Sequence, residues 1–139
     1  MLICDTGALV AAAFTRDPDH RACVDLFTGV RLAQRPLVVP APVIAEVGYL
    51  LSKYAGRVGE AAFLRSLAAG DFEVDLPTNA DLARAADLVE HYANLPLGTT
   101  DAIVVATAER LGCPEIATLD HRDFTVVRPT HHRHFTLLP

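Results

Sequence analysis

Leu2-Ile3-Cys4-Asp5-Thr6-Gly7 opens the chain with a short apolar run that ends on a carboxylate, and Ala8-Leu9-Val10-Ala11-Ala12-Ala13-Phe14 follows it. Three apolar residues before a turn read as a buried strand, and the Ala-rich run reads as a helix. A strand feeding straight into a helix is the unit from which parallel α/β sheets are built. The unit recurs downstream. Leu37-Val38-Val39 predicts a second strand, and Pro40 and Pro42 bracket the entry to a helix that carries Glu46 and ends near Gly56. Phe72-Glu73-Val74-Asp75-Leu76 alternates with period two, which predicts a half-exposed strand. The helix expected over 79–93 places Leu82, Ala86, Val89 and Ala93 on one apolar face. Thr99 or Thr100 is expected to cap a helix that Gly112 stops, and Glu115 to Leu119 predicts a further strand.

Two more helices complete the reading. Asp17 can cap one, with Pro18 at its first position and Ala22, Val24, Leu26 and Phe27 along it. The other covers 59–69, carries Ala62, Phe63 and Leu67, and stops at Gly70. Val126-Val127 and Phe135-Thr136-Leu137-Leu138 read as short extended segments. The expectation is an α/β fold: one domain over 1–139, with a short, mainly parallel central sheet flanked by helices.

Composition narrows the function classes. A chain of 139 residues with 51% hydrophobic and 21% charged residues can build a core, which excludes a disordered chain. No apolar run approaches membrane-span length, and the N-terminus has no basic stretch or cleavage site of a secretory signal. Cys4, Cys23 and Cys113 are odd in number and widely spaced, which suits buried thiols in a reducing cytoplasm. The net charge of −5 argues against strong non-specific RNA binding, although an acidic metal pocket would itself supply most of that excess.

Four carboxylates stand against apolar runs. Asp5 ends Leu2-Ile3-Cys4, Glu46 lies within Val43-Ile44-Ala45-Glu46-Val47, Asp101 opens Ala102-Ile103-Val104-Val105-Ala106, and Asp120 ends Ile116-Ala117-Thr118-Leu119. A buried, unpaired carboxylate is costly, so such groups are normally paired or bound to a metal. The chain has one lysine, Lys53, and no arginine close in sequence to any of the four except Arg122. Asp5 and Asp120 fall at strand ends, where open α/β sheets form their sites. At 100° per residue, Val104, Val105 and Ala108 lie within about 60° of Asp101, so its carboxylate shares the apolar face. Val43, Val47, Leu50 and Tyr54 form the stripe of the Glu46 helix, with Glu46 at its rim. A shared divalent cation explains this arrangement, and simple helix capping by Asp5 and Asp101 is the alternative.

The whole chain resembles the PIN-domain ribonucleases, and within them the VapC-type toxins of type II toxin–antitoxin modules. Leu2 to Leu9 is similar to the family's opening strand and first acidic residue, and Pro42 to Val47 resembles the segment with its Glu. Gly98-Thr99-Thr100-Asp101-Ala102-Ile103-Val104-Val105-Ala106 resembles the third motif, and Ala117-Thr118-Leu119-Asp120-His121-Arg122-Asp123-Phe124 the fourth. The resemblance implies a PIN-like domain in which Asp5, Glu46, Asp101 and Asp120 form a pocket for Mg²⁺ or Mn²⁺. Asp120 and Asp123 could exchange roles there. Thr6 and Thr118 match polar positions beside the pocket, and Thr100 could also orient a ligand or water. It further implies an endoribonuclease, a cognate antitoxin partner, a homodimer, and transfer RNA or ribosomal RNA loops as substrates.

Arg16, Arg21, Arg122 and Arg128 are candidate phosphate contacts, and Leu50, Leu51, Tyr54 and the 59–69 helix are candidate association surfaces. Most of the six Phe and three Tyr lie in apolar runs, so an exposed base-stacking platform is not expected. Two other classes fit parts of the pattern. His20, His91, His121, His131, His132 and His134 could serve a metal-independent nuclease, which would tolerate chelator. Acids at strand ends could also form a non-catalytic phosphoacceptor, but Lys53 falls in a predicted helix rather than at a strand end. Dinucleotide binding lacks any Gly-x-Gly pair.

Overall fold

The computed structural model describes residues 1–139. Five short strands, β1 (Leu2–Cys4), β2 (Leu37–Pro40), β3 (Glu73–Asp75), β4 (Glu115–Ala117) and β5 (Thr136–Leu138), form one sheet in the order β3-β2-β1-β4-β5. Every pairing is parallel. The three inner strands are apolar and almost fully buried, as parallel strands covered on both faces must be. The edge strand β3 is mostly exposed, but its burial does not follow the alternation: Val74 and Leu76 face solvent, and Asp75 is the least exposed residue because Arg110 covers it.

Seven helices surround the sheet: α1 (Thr6–Ala13), α2 (His20–Leu32), α3 (Ala41–Tyr54), α4 (Gly56–Ala68), α5 (Asn79–His91), α6 (Thr99–Leu111) and α7 (His121–Val126). α1 packs on α2 and α3, α3 on α4, and α5 on α6. A single cluster of 31 buried residues runs through all these layers, so there is one core. α6 is its most buried helix: every residue from Ala102 to Ala108 is hidden.

The chain leaves β1 toward β2 on one side and β4 on the other, so the strand order reverses between β1 and β4. Such a reversal opens a crevice at the carboxyl ends of the two strands. Asp5 follows β1 and Asp120 follows β4 by three residues, one on each lip of that crevice.

Four local readings are corrected. α2 begins at His20, with Asp19 at its N-cap position; Asp17 instead accepts the Asp19 amide at 2.8 Å in a turn that contains Pro18. The buried face of α5 is Ala85 and Leu88 with Asp81, whereas Leu82 and Val89 are exposed, because α6 covers the adjoining sector. The buried stripe of α3 is Val43, Val47 and Leu51 rather than one through Leu50 and Tyr54. Leu51 is therefore core and cannot belong to an association surface. Val126 ends the short helix α7 instead of starting an extended segment, because Asp120 caps that helix.

Candidate active site

The acidic residues converge at the β1/β4 crevice. Asp5 is held by the sheet itself: its amide donates to the Ala117 carbonyl at 2.9 Å, which extends the β1–β4 ladder by one residue. Its carboxylate accepts the Thr118 hydroxyl at 2.7 Å. Thr118 in turn accepts the Asp120 amide at 3.0 Å, and Asp120 accepts the Asp123 amide at 3.1 Å. One chain of hydrogen bonds thus ties the end of β1 to the start of α7. Gly7 lies where an added Cβ would meet Leu119 at 3.5 Å, so α1 can rise close beside this loop.

Glu46 enters from the exposed side of α3 and is clamped. Thr6, at the start of α1, donates to one carboxylate oxygen at 2.9 Å, and Thr100, in the first turn of α6, donates to the other at 2.8 Å. The expected capping role of Thr100 is therefore wrong; Gly98 occupies the N-cap position and no side chain caps this end. The hydroxyl expected at a helix end serves Glu46, and three helices meet at one carboxylate.

Asp101 receives no side-chain or backbone hydrogen bond, and no cation pairs with Asp5, Glu46, Asp101 or Asp120. Burial pushes the Asp101 carboxyl up to about 7, and the charges of Asp5, Asp120, Glu46 and Asp123 add to that. Burial also raises Asp5, against the opposing hydrogen bond from Thr118. Helix capping does not explain Asp5, which makes no side-chain capping bond. Asp120 does cap α7, and Asp123 is buried beside it and paired with Arg122 at 3.2 Å. Both remain close enough to repel Asp101.

The donor set is carboxylate and hydroxyl oxygen with no competing cation, which suits a hard divalent ion. Asp5 and Asp101 are the best placed of these donors, because their surplus negative charge lacks compensation. As the side chains stand, no three acids close into a complete ligand cage. The fit therefore lies in donor chemistry and charge.

The other expected residues are scattered. Arg122 is bound to Asp123 at the rim. The Arg128 guanidinium donates to the Thr125 carbonyl at 3.3 Å and to His134 at 3.0 Å. Arg21 pairs with Asp25 in solvent, and Arg16 is exposed without an ionic partner. The histidines do not assemble: His20 bonds the Ala11 carbonyl, His131 bonds the Cys113 carbonyl near the opposite end of β4, and His91 meets Tyr92 edge to face. Only His121 adjoins the acids in sequence. An apolar groove of about 340 Å³, lined by Leu9, Phe27, Phe63 and Phe72 among others, lies between α1, α2 and α4, away from the carboxylates.

Two of the nine aromatic residues face solvent. Tyr49 and Tyr54 are 59% and 57% exposed. Tyr49 sits in an apolar run, but the helical period turns it outward from the Val43–Val47–Leu51 stripe, whereas Tyr54 shares the angle of that stripe and is exposed as the last residue of α3, outside the core cluster.

Comparison with known proteins agrees with this architecture. Residues 2–128 match the model of the PIN domain. Over 99% of its length the chain is 36% identical to Ribonuclease VapC26 of Mycobacterium tuberculosis, all of which is covered. The fold is shared with M. tuberculosis VapC20, a sarcin–ricin-loop-cleaving toxin, at a TM-score of 0.80 and 18% identity over 96% of this chain and 99% of that one. It is also shared with a chain of a toxin–antitoxin complex from Klebsiella pneumoniae, at a TM-score of 0.63 and 18% identity over 98% and 100%. An all-parallel sheet with acids gathered at its strand reversal, and a ribonuclease relative matched from end to end, lead to one assignment: this chain belongs to the PIN-domain family, among the VapC-type proteins.

Proposed function

We propose that the protein is a divalent-metal-dependent endoribonuclease, the toxin of a type II toxin–antitoxin module, and that its active site is the acidic crevice. The observation that carries this reading is the pair Asp5 and Asp101, buried or half-buried, raised in pKa and without a cationic partner. A protein keeps such a pair only when something bound there offsets the repulsion. The 36% identity to a VapC ribonuclease supports the reaction class.

Asp5 and Asp101 would hold Mg²⁺ or Mn²⁺ directly, with Glu46 and Asp120 completing the acidic wall. A bound divalent ion supplies Lewis-acid stabilisation of a phosphate oxygen and a water of lowered pKa. Thr6 and Thr100 fix Glu46 so that its charge faces the crevice. Thr118 holds Asp5 and the Asp120 loop in register. Attack by hydroxide leaves the ribose 2′-OH uninvolved, so the products carry 5′-phosphate and 3′-hydroxyl ends. Arg122 stands at the rim, where it can meet a substrate phosphate.

The substrate class is a loop of folded RNA, and the cell compartment is the cytoplasm. No helix is long and apolar enough to cross a membrane. The toxin–antitoxin fold relative and the apolar groove between α1, α2 and α4 support a cognate antitoxin as protein partner. Homodimerisation is expected, with Leu50, Tyr54 and α4 still available at the surface, and light scattering would measure it. The central test incubates purified protein with labelled stem–loop RNA, with Mg²⁺ and with EDTA. Cleavage only with metal, lost in Asp5→Asn, supports the reading; chelator-resistant cleavage leaving cyclic phosphate would instead favour histidine chemistry.

A further inference from the structure

The outer face of α3 continues from the acidic crevice as a different kind of surface. At 100° per residue, Tyr49 and Lys53 lie within about 60° of Glu46 around the helix, so all three share one face. At 1.5 Å per residue they stand about 4.5 Å and about 10.5 Å farther along the axis. The direction of this face is pinned at both ends. Thr6 of α1 bonds Glu46 of α3 at the crevice, and eight residues later on each helix Phe14 stacks on Tyr54 with ring centroids 5.8 Å apart. α1 and α3 therefore run side by side, away from the carboxylates.

The chemistry changes along this face. Glu46 is anionic, Tyr49 presents an exposed ring, and Lys53 is the single lysine of the chain. Lys53, Arg57 and Arg16 are exposed and take part in no ion pair, whereas Arg31, Arg35, Arg84 and Arg110 are all committed to acids. Glu60 approaches α3 at Gly48, on the far side of the helix, and does not neutralise this face. The Lys53 ammonium rests over the Tyr49 ring, 4.4 Å from its centroid. An exposed aromatic covered by its own cation is matched to a ligand that brings both a flat base and a phosphate. The base takes the ring face, and the displaced ammonium takes the phosphate.

We infer that Tyr49 and Lys53 form a track for the RNA strand beside the cleaved phosphate, with Tyr49 stacking a base and Lys53 meeting the next phosphate along. This rests on the proposal that the crevice cleaves RNA. It gives the active site a strand polarity, because the track leaves the crevice on the α3 side only. Lys53, unpaired and two turns along the same face from Glu46, supplies the charge complementarity in a chain that is otherwise net negative.

The test measures binding of a short labelled single-stranded RNA of mixed sequence by fluorescence anisotropy, in EDTA so that cleavage does not intervene. Tyr49→Ala should weaken Kd about 10-fold, the loss of one base stack, and Tyr49→Phe should restore it. Lys53→Gln should lower the slope of log Kd against log salt by about 0.7, the share of one phosphate contact on a single strand. Mn²⁺ affinity by titration calorimetry should stay at the wild-type value in all three, since none of these side chains is a carboxylate of the crevice. Wild-type Kd and slope in both Tyr49→Ala and Lys53→Gln overturn the track, and if the wild type still cleaves RNA the active-site reading survives alone. A wild type that neither binds nor cleaves RNA removes both. A shift of the monomer–dimer balance in Tyr49→Ala, with RNA affinity unchanged, assigns the face to a second copy and also overturns the track. Should Tyr49→Ala fail to fold, the salt slope of Lys53→Gln decides.

Discussion

Asp5 and Asp81 are almost equally hidden, at 5% and 4% exposure, yet their carboxyls are driven in opposite directions. Burial raises Asp5, and the Thr118 hydroxyl and the Thr6 amide together are too weak an offset. Burial opposes Asp81 too, but the Thr78 amide and the Arg110 guanidinium outweigh it and hold the group low. Depth contributes, since Asp81 lies just under the surface and Asp5 lies deep. The larger difference is the partner. At the α5–α6–β3 junction Arg110 bridges Asp81 at 2.8 Å and also reaches Asp75, while Arg84 grips Glu109 through two nitrogens at 2.8 and 3.0 Å. Acids there have their cations built in. At the β1/β4 crevice the acids have only hydroxyls, amides and one another. The same residue type is compensated by a cation in one place and left without one in the other.

The sharpest break of this contrast is removal of a crevice acid. Asp101→Asn or Asp5→Asn should lower RNA cleavage by about 1,000-fold, the loss of roughly 4 kcal/mol of transition-state stabilisation. Single-turnover rates at saturating Mg²⁺ measure it, and an Asp101→Asn enzyme within tenfold of wild type would end the assignment. At the compensated junction the sign reverses onto folding. Arg110→Ala strands Asp81 beside Asp75 and should destabilise the protein by about 3 kcal/mol in urea unfolding, with cleavage by the folded fraction retained.

The pH dependence sharpens the comparison further. Below pH 3.8, Asp101 is protonated in both the folded and unfolded chains, so its stability is not penalised. Above about 7 it is ionised in both, and the folded state bears the whole cost. The metal-free protein should therefore lose stability as pH rises through that window, by roughly 2 kcal/mol after allowance for solvent screening. Asp101→Asn should flatten this part of the profile, and added Mg²⁺ should reverse it, because binding displaces the proton. Thermal melts at several pH values, with and without metal, read both effects. The smallest change concerns the Glu46 clamp. Thr100→Val removes one hydroxyl and should weaken Mn²⁺ binding by about 5-fold, roughly 1 kcal/mol, with Thr100→Ser restoring it.

Where the sequence misled, a competing partner was the cause. Thr100 looks like a helix cap because it precedes an apolar helix, but its hydroxyl finds Glu46, 54 residues away, and the cap position falls to Gly98. Leu82 and Val89 look like core because they repeat at helical spacing, but α5 packs through Ala85 and Leu88. The face turned to α6 is the one through Asp81, Ala85 and Leu88, and Leu82 and Val89 lie to one side of it. Tyr49 looks buried because its neighbours are apolar, yet the period of α3 turns it to solvent. In each case the local pattern admits two orientations, and packing chooses one.

The sequence by itself determined the α/β class, the strand–helix alternation and the positions of the four acids. Each rests on short-range physics: apolar runs bounded by turns, helical periodicity, and the cost of a charge beside an apolar wall. The tertiary structure alone decided the strand order β3-β2-β1-β4-β5, and with it the crevice that brings residues 5, 46, 101 and 120 together. It also decided which acids are compensated. Arg110 lies nine residues from Asp101 and 29 from Asp81, yet it serves Asp81 and leaves Asp101 unpaired. Ion pairing depends on distance in space, and the chain order does not carry that distance until the helices have packed.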